Sequence, residues 1–257
     1  SRGLGDVYKR QVLFIVKNYS GDIMNFQMAS EMISGASETV LINDDVAVED
    51  SSYTTGRRGV AATVIVEKIV GSLAETGGSL KECKILGDKV NRNSGSMGVA
   101  FSSCTVPAAG KPTFKLGSDE MEFGVGIHGE PGRRRDKVQP AQEITNELLG
   151  AIIEDLKLEN NGEILLFVNG MGGTPLTELY LLYDNAKKTL DNKNIKIARS
   201  LVGNYCTSLE MQGASLTITK LDQELKKHWD SPVHTAAMRW GLCCLLYTSP
   251  SPRDSDQ

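Results

Sequence analysis

VLFIVKNYSGDIMNF, residues 12–26, sets the fold class of this chain. Val12–Val16 is a short apolar run bounded by polar residues, which is typical of a buried β-strand. It leads directly into KNYSGD, after which apolar residues recur at helical spacing, at Ile23, Phe26, Ala29 and Ile33. A second apolar run, Thr39–Ile42, predicts the next strand. Strand, helix and strand in this order indicate a parallel α/β unit.

The rest of the chain continues to alternate helices and strands. Val60–Thr76 predicts a helix, and Ser79 with Glu82 forms an S-x-x-E capping box for another helix that ends near Asn93. After NSGS (93–96) a second unit begins. It is predicted to be extended at Met97–Val106, to form strands at Phe123–Ile127, Glu163–Val168, Ile195–Gly203 and Ala214–Leu221, and to form helices at Ala141–Leu158, Pro175–Leu190 and Asp222–His228. We therefore expect an α/β fold of two domains, residues 12–96 and 97–243.

The two ends of the chain differ from what lies between them. Residues 1–11, SRGLGDVYKRQ, show neither helical nor strand periodicity. DVYKRQ can be encoded by a DNA string whose reverse complement, read in another frame, encodes LLYT. The other tail, residues 244–257, is CLLYTSPSPRDSDQ and contains LLYT. The same DNA string resembles the end of a transposon-based sequencing adaptor. We therefore expect both tails to be non-native, and the natural protein to start upstream of Val12.

Charge and composition exclude several classes of protein. A net charge of −4 over 257 residues is too small, and of the wrong sign, for a generic nucleic-acid or membrane-surface binder. No run approaches the roughly 18 apolar residues of a membrane span. Cys83, Cys104 and Cys206 are odd in number and lack CxxC spacing, which indicates buried thiols in a reducing compartment rather than disulfides or a zinc site. The 26 glycines should mark turns and close backbone approaches.

Glycine and charged residues collect after predicted strands, for example at Asn43–Asp45 and Gly170–Gly173, where open α/β sheets bind ligands. His128 lies between glycines in GVGIHGEPG and is either a loop histidine or a nucleophile or acid–base group. Asp22 is either a helix N-cap or a general base. Lys17 is either solvated or a hydrogen-bond donor to substrate. The triplet Arg133–Arg135 predicts a solvated loop, with an anion or partner contact as the alternative.

Several longer strings resemble the dihydroxyacetone-binding K subunit of bacterial dihydroxyacetone kinases. They run in family order over residues 12–241: VKNYSGDIMNF, INDDVAVEDS, YTTGRRGVA, CTVPAAGKP, EFGVGIHGEPG, NGMGGTPLTELY, GNYCTSLEMQG and WDSPVHTAAMRWG. The family fold is a pair of α/β domains in a homodimer. Family members also carry an upstream GGGSGHEP-like segment with a second active-site histidine, which this sequence lacks. The resemblance therefore implies that the first domain is incomplete.

The resemblance also implies roles for particular residues. The family's substrate histidine maps onto His128, whose imidazole would add to the carbonyl carbon of dihydroxyacetone and form a covalent hemiaminal. Asp22 would be the base for the substrate hydroxyl, and the substrate-binding set would be Lys17, Gly21, Gly126 and Gly129.

By the same resemblance, this chain holds no cofactor and no metal, because ADP or ATP with Mg²⁺ belongs to a separate L subunit. GIHGEPG and the stop at RWG favour the phosphotransferase-system type over a fused ATP-dependent kinase. We expect a cytoplasmic homodimer that presents dihydroxyacetone for phosphorylation in glycerol and ketone catabolism, with no nucleic-acid or membrane partner. The alternatives are a non-catalytic dihydroxyacetone sensor acting on a transcription regulator, and a fragment that is inactive without its upstream part.

Overall fold

The structure, a computed structural model, describes residues 11–47, 56–108, 110–130 and 132–241. Apart from Gln11, the two tails expected to be non-native lie outside these residues. In chain order the elements are β1 (Val12–Lys17), α1 (Ser20–Glu31), β2 (Ser37–Ile42), α2 (Ala62–Glu75), α3 (Leu80–Arg92), β3 (Ser94–Ala100), β4 (Glu120–Phe123), β5 (Arg134–Lys137), α4 (Ala141–Leu156), β6 (Glu163–Gly170), α5 (Leu176–Asn192), β7 (Lys196–Gly203), β8 (Gly213–Lys220), α6 (Gln223–Asp230), β9 (Val233–His234) and β10 (Arg239–Trp240).

Strands β1 and β2 form a parallel two-stranded sheet, as the sequence predicts. Their carboxyl ends meet at one edge, where Lys17 lies opposite Ile42 and the Asn18 amide donates to the Ile42 carbonyl at 2.9 Å. The predicted helix between them also forms, but it ends at Glu31 and none of its residues is buried. Its apolar side chain Phe26 instead packs edge-on against Phe14 of β1, with ring centroids 5.6 Å apart.

The second sheet has six strands in the order β5-β4-β3-β8-β6-β7. Only β6 and β7 pair in parallel, so this sheet is mixed. Strand β6, which lies between β8 and β7, is buried on both faces, and this explains why EILLFV is a continuous apolar run. Because side chains alternate along a strand, Leu166 and Val168 join one core with α4 and α5, while Leu165 and Phe167 join the other with α2, α3 and α6.

That second core connects the two expected domains. Val40 and Ile42 of the small sheet pack in the same apolar cluster as Leu165 and Phe167 of the large one. The boundary expected between residues 96 and 97 falls within β3, since this strand starts at Ser94. The α/β fold is confirmed, and the division into domains 12–96 and 97–243 stays a prediction.

Three local predictions are wrong. The stretch predicted to be extended at Met97–Val106 is β3, which already starts at Ser94 and ends at Ala100. The strand predicted at Phe123–Ile127 is instead β4, which ends at Phe123 because Gly124 turns the chain with a φ of +74°. Only the first residue of the triplet Arg133–Arg135 lies in a loop, because Arg134 and Arg135 belong to β5 and pair with Glu147 and Glu122.

Cys83, Cys104 and Cys206 are free and buried, as predicted, and burial raises the pKa of the Cys206 thiol to about 11. Within the described ranges, every helix is too short or too polar to cross a membrane.

Candidate functional site

His128 lies in a tight turn that follows β4. The Gly129 amide donates to the Gly126 carbonyl at 3.3 Å, and Gly129 has a φ of +72°. A Cβ on Gly129 would lie 2.9 Å from the Cys104 Sγ, so the backbone packs closely against the loop that carries Cys104. The His128 side chain is 51% exposed. The turn thus presents an accessible imidazole on a backbone that is itself buried.

Glu130 faces this imidazole from inside the protein. The His128 backbone amide donates to Glu130 Oε2 at 3.0 Å, and His128 Nδ1 lies 3.4 Å from Glu130 Oε1. The Glu130 side chain is only 8% exposed. Burial alone would raise the pKa of Glu130, but hydrogen bonding with His128 and with its own backbone amide, together with electrostatic interactions with His128 and Arg58, holds this pKa below its usual value. Glu130 is therefore a buried carboxylate that is ionised at neutral pH.

A buried ion pair lies beneath the turn. Arg58, whose side chain is 1% exposed, donates from Nε to Asp45 Oδ2 at 2.7 Å and from Nη2 to the Gly124 carbonyl at 2.6 Å. A Cβ on Gly126 would overlap the Glu130 carboxylate and lie 2.8 Å from Arg58 Nη1. Gly126 is therefore the position at which the backbone, the carboxylate and the guanidinium meet.

The neighbouring Asp44 does not pair with Arg58 but accepts hydrogen bonds from backbone amides near α2. Its carboxylate accepts from the Val60 amide at 2.7 Å, from the Ala62 amide at 2.9 Å and from the Ser96 hydroxyl. Burial raises the pKa of Asp44, although these hydrogen bonds favour its ionised form. Asp44 thus satisfies backbone amides at the start of α2 from outside the helix, which is a structural role.

Tyr19 joins the His128 turn to the segment that contains the other candidates. Its ring meets the His128 ring edge-on, with centroids 4.3 Å apart and planes at 65°. Tyr19 follows Lys17 by two residues and precedes Asp22 by three, so the fold brings the KNYSGD segment against the His128 turn. The Tyr19 hydroxyl is buried and has no hydrogen-bond partner among the residues that the structure describes. Burial, together with the nearby Glu130, raises the pKa of this hydroxyl.

Asp22 lies in the first turn of α1 and is partly exposed. The N-cap of this helix is Tyr19, so the interpretation of Asp22 as the N-cap is wrong. The first turn of a helix is a position where the helix dipole favours a negatively charged side chain. A Cβ on Gly21 would meet nothing within 4 Å, so packing does not require a glycine at this position.

The sequence identified the histidine of this site but not its surroundings. The sequence places Asp45 in a polar cluster after a predicted strand, but it does not indicate a role for Arg58 or Glu130. Arg58 lies 72 positions before Glu130 in the chain, and only the fold brings their side chains together. The one local signal for Glu130 was its position two residues after His128.

The sequence profile of the Dak1 domain matches residues 6–237. This chain belongs to the Dak1 domain family. The match starts within residues 1–11, for which a non-native origin is expected. This family member is 50% identical over 216 residues to the "PTS-dependent dihydroxyacetone kinase 1, dihydroxyacetone-binding subunit DhaK" of Listeria innocua, with 83% of this chain and 66% of the relative covered. It is 44% identical over 257 residues to the corresponding "PEP-dependent" subunit of Escherichia coli, covering 90% of this chain and 72% of the relative.

These relatives confirm the resemblance to the dihydroxyacetone-binding subunit, and the Dak1 chain spans about two thirds of their length. Among solved structures it is similar to a "dihydroxyacetone kinase operon co-activator", with a TM-score of 0.81, 31% identity and coverage of 86% of this chain and 70% of that one. It also resembles the dihydroxyacetone kinase of C. freundii, with a TM-score of 0.76, 28% identity and coverage of 94% and 45%. A fatty-acid-binding protein of Thermotoga maritima, 12% identical with a TM-score of 0.53, shares the fold alone.

Proposed function

We propose that this chain is the dihydroxyacetone-binding part of a dihydroxyacetone kinase and that His128 binds the ketone covalently. The observation that carries the proposal is the exposed imidazole of His128 on a buried turn, with an ionised carboxylate at its Nδ1. The names of the relatives that are 50% and 44% identical support this choice of substrate.

The covalent step needs only a neutral imidazole and a carbonyl group. The lone pair of one ring nitrogen forms a bond to the carbonyl carbon, the C–O π bond breaks, and its electron pair moves to oxygen. The oxygen gains a proton and the ring loses the proton of its other nitrogen, so no water or oxidant is consumed or released. Glycerol has no electrophilic carbon, and therefore this step selects the ketone over the alcohol.

The remaining residues would act on the substrate once it is held. Asp22 would accept the proton of the terminal hydroxyl as that oxygen attacks phosphorus, and Lys17 would donate a hydrogen bond to the substrate. Gly21, Gly126 and Gly129 would let backbone approach it closely. Fixing the hydroxyl in place converts its reaction with the phosphoryl group into a step between positioned groups.

The phosphate donor is part of the same proposal. Nucleotide with Mg²⁺ would be held by an L subunit and recharged by the phosphotransferase system, and the "PTS-dependent" and "PEP-dependent" names of the relatives support this type. We further propose a homodimer located in the cytoplasm.

Intact-mass spectrometry tests the covalent step. After incubation with dihydroxyacetone, the wild-type chain should gain the mass of one whole dihydroxyacetone molecule, because the addition expels no water. His128→Ala should lose this adduct, whereas the control His234→Ala, on an exposed residue of β9, should keep it. A persistent adduct in His128→Ala would place the nucleophile elsewhere, and no adduct in the wild-type chain would overturn covalent binding.

A second candidate is a non-catalytic sensor of dihydroxyacetone, favoured by the TM-score of 0.81 to the operon co-activator. The two functions separate when an L subunit and a phosphate donor are added. A kinase subunit forms dihydroxyacetone phosphate, and Asp22→Asn should abolish this product while leaving the adduct in place. Formation of the adduct without any phosphorylated product, with every donor tried, would favour the sensor.

A further inference from the structure

Glu130 contacts His128 through both of its carboxylate oxygens. We propose that Glu130 is a positioning residue, which holds His128 as the Nδ1–H tautomer and so directs the Nε2 lone pair toward the ketone. The inference rests on the proposed function for its substrate, but the tautomer itself is a property of the free protein.

The geometry assigns the two ring nitrogens different tasks. One Glu130 oxygen accepts from the His128 backbone amide at 3.0 Å, and the other lies 3.4 Å from Nδ1. An ionised carboxylate can only accept hydrogen bonds, so the nitrogen that faces it is stabilised when it carries the proton. In a neutral imidazole the other nitrogen, Nε2, then has the free lone pair.

The carboxylate can perform this task because it is itself held in place. It lies in the interior, against the backbone at Gly126 and near the guanidinium of Arg58. Arg58 is in turn fixed by Asp45 and by the Gly124 carbonyl. Since the His128 ring also packs against the Tyr19 ring in a T-shaped arrangement, the imidazole is restrained both at Nδ1 and by this ring contact.

The arrangement also matches the charge that develops during the reaction. When Nε2 bonds to the carbonyl carbon, the ring passes through a cationic state before Nδ1 releases its proton. A buried anion next to Nδ1 stabilises this cation, in the same way that a carboxylate behind a catalytic histidine stabilises an imidazolium. Removal of Glu130 should therefore slow adduct formation as well as change the tautomer.

The test compares Glu130→Ala and Glu130→Gln with the control Glu154→Ala, which removes an exposed carboxylate on α4. Nitrogen-15 NMR of the imidazoles in the ligand-free chain should show Nδ1–H at His128 in the wild type and in the control, and a shift toward Nε2–H in Glu130→Ala. The rate constant of adduct formation should fall roughly 10- to 100-fold in Glu130→Ala, the range of activity lost when a partner that orients a functional histidine is removed. Glu130→Gln should recover part of both effects, because its amide oxygen still accepts from Nδ1–H.

The outcomes separate this inference from the proposed function. An Nε2–H tautomer in the wild type, or a tautomer and a rate of adduct formation that Glu130→Ala leaves unchanged, overturns the role of Glu130. A tautomer change in a chain that forms no adduct supports the positioning role and contradicts the covalent function instead. If Glu130→Ala does not fold, as judged by circular dichroism, the wild-type tautomer and the Glu130→Gln variant decide the question.

Discussion

Gly126 is the residue whose replacement tests how closely the His128 turn is packed. A Cβ there would overlap the Glu130 carboxylate and crowd Arg58, and both groups are held in place by their own partners. Gly126→Ala should therefore lower the free energy of unfolding by about 1–3 kcal/mol, the usual cost of overpacking a filled interior. Denaturant unfolding followed by circular dichroism measures this loss.

The matched control is Gly150→Ala. Gly150 lies within α4, where an added Cβ would meet nothing within 4 Å. This substitution should stabilise the protein by about 0.5–1 kcal/mol, because alanine loses less conformational entropy than glycine in a helix. Equal and small effects at both positions would mean that the turn adjusts without cost, and that the interior below His128 is not tightly packed.

Single residues also show what the sequence could and could not predict about the site. His128 stood out because two glycines flank it, which is a local signal. Gly126 and Gly129 were assigned to substrate binding by resemblance, and the structure adds a packing requirement at both positions. The roles of Asp45 and Arg58 could not be predicted, because they depend on an ion pair between these two residues that forms only in the folded chain.

At the scale of elements, local chemistry predicted helices better than it predicted strand ends. Ser79 and Glu82 form the complete capping box that the sequence predicts at the start of α3. The start of α2 has no such local signal, because Asp44 supplies its hydrogen bonds from beyond β2, 16 residues before Val60. Strand β4 was misplaced because the run at residues 123–127 is apolar enough for a strand, whereas Gly124 turns the backbone away from the sheet.

Glu163 of β6 forms hydrogen bonds with β7 and α6, and its ionisation should make the stability of the protein depend on pH. It accepts from Lys196 of β7 at 2.7 Å and from Lys226 of α6, and these hydrogen bonds and charges lower the pKa of Glu163 from 4.5 to about 2. A carboxyl group whose pKa is lower in the folded state stabilises the fold above its unfolded pKa. This contribution is full above about pH 4.5 and is lost as the pH falls toward about 2.

Glu163→Gln removes the charge at every pH, so comparing its stability with that of the wild type isolates the contribution of ionised Glu163. Its denaturant midpoint should lie below that of the wild type near neutral pH, and the difference should shrink between about pH 4.5 and about pH 2. Glu154→Gln, on the exposed surface of α4, should match the wild type throughout. A difference between wild type and Glu163→Gln that does not change with pH would contradict a contribution from ionised Glu163.

At the scale of the whole molecule, the sequence predicted an α/β fold but not how its parts share a core. The alternation of helices and strands was readable from periodicity. The packing of α2 and α3 against β6 was not, because an apolar run such as EILLFV shows only that a strand is buried on both faces and not which elements bury it.

The shared core predicts that the described residues unfold as one cooperative unit. Phe167 is fully buried on β6, in the cluster that contains Val40 and Ile42 of the small sheet. Phe167→Ala should cost about 3–5 kcal/mol, the range for truncating a core phenylalanine. Leu166 and Val168 of the same strand pack in the other core. The loss of stability in Phe167→Ala should therefore be equal in both expected domains.

Hydrogen exchange read by mass spectrometry, with denaturant, can resolve the two expected domains separately. Peptides from α2 and α3 should lose protection at the same denaturant concentration as peptides from β3 and β8, and Phe167→Ala should lower both midpoints together. Leu181→Ala, on an exposed position of α5, should change neither midpoint appreciably. If Phe167→Ala lowered the midpoint of α2 and α3 alone, the two units would unfold independently, and the cluster that joins them would contribute little to the stability of the large sheet.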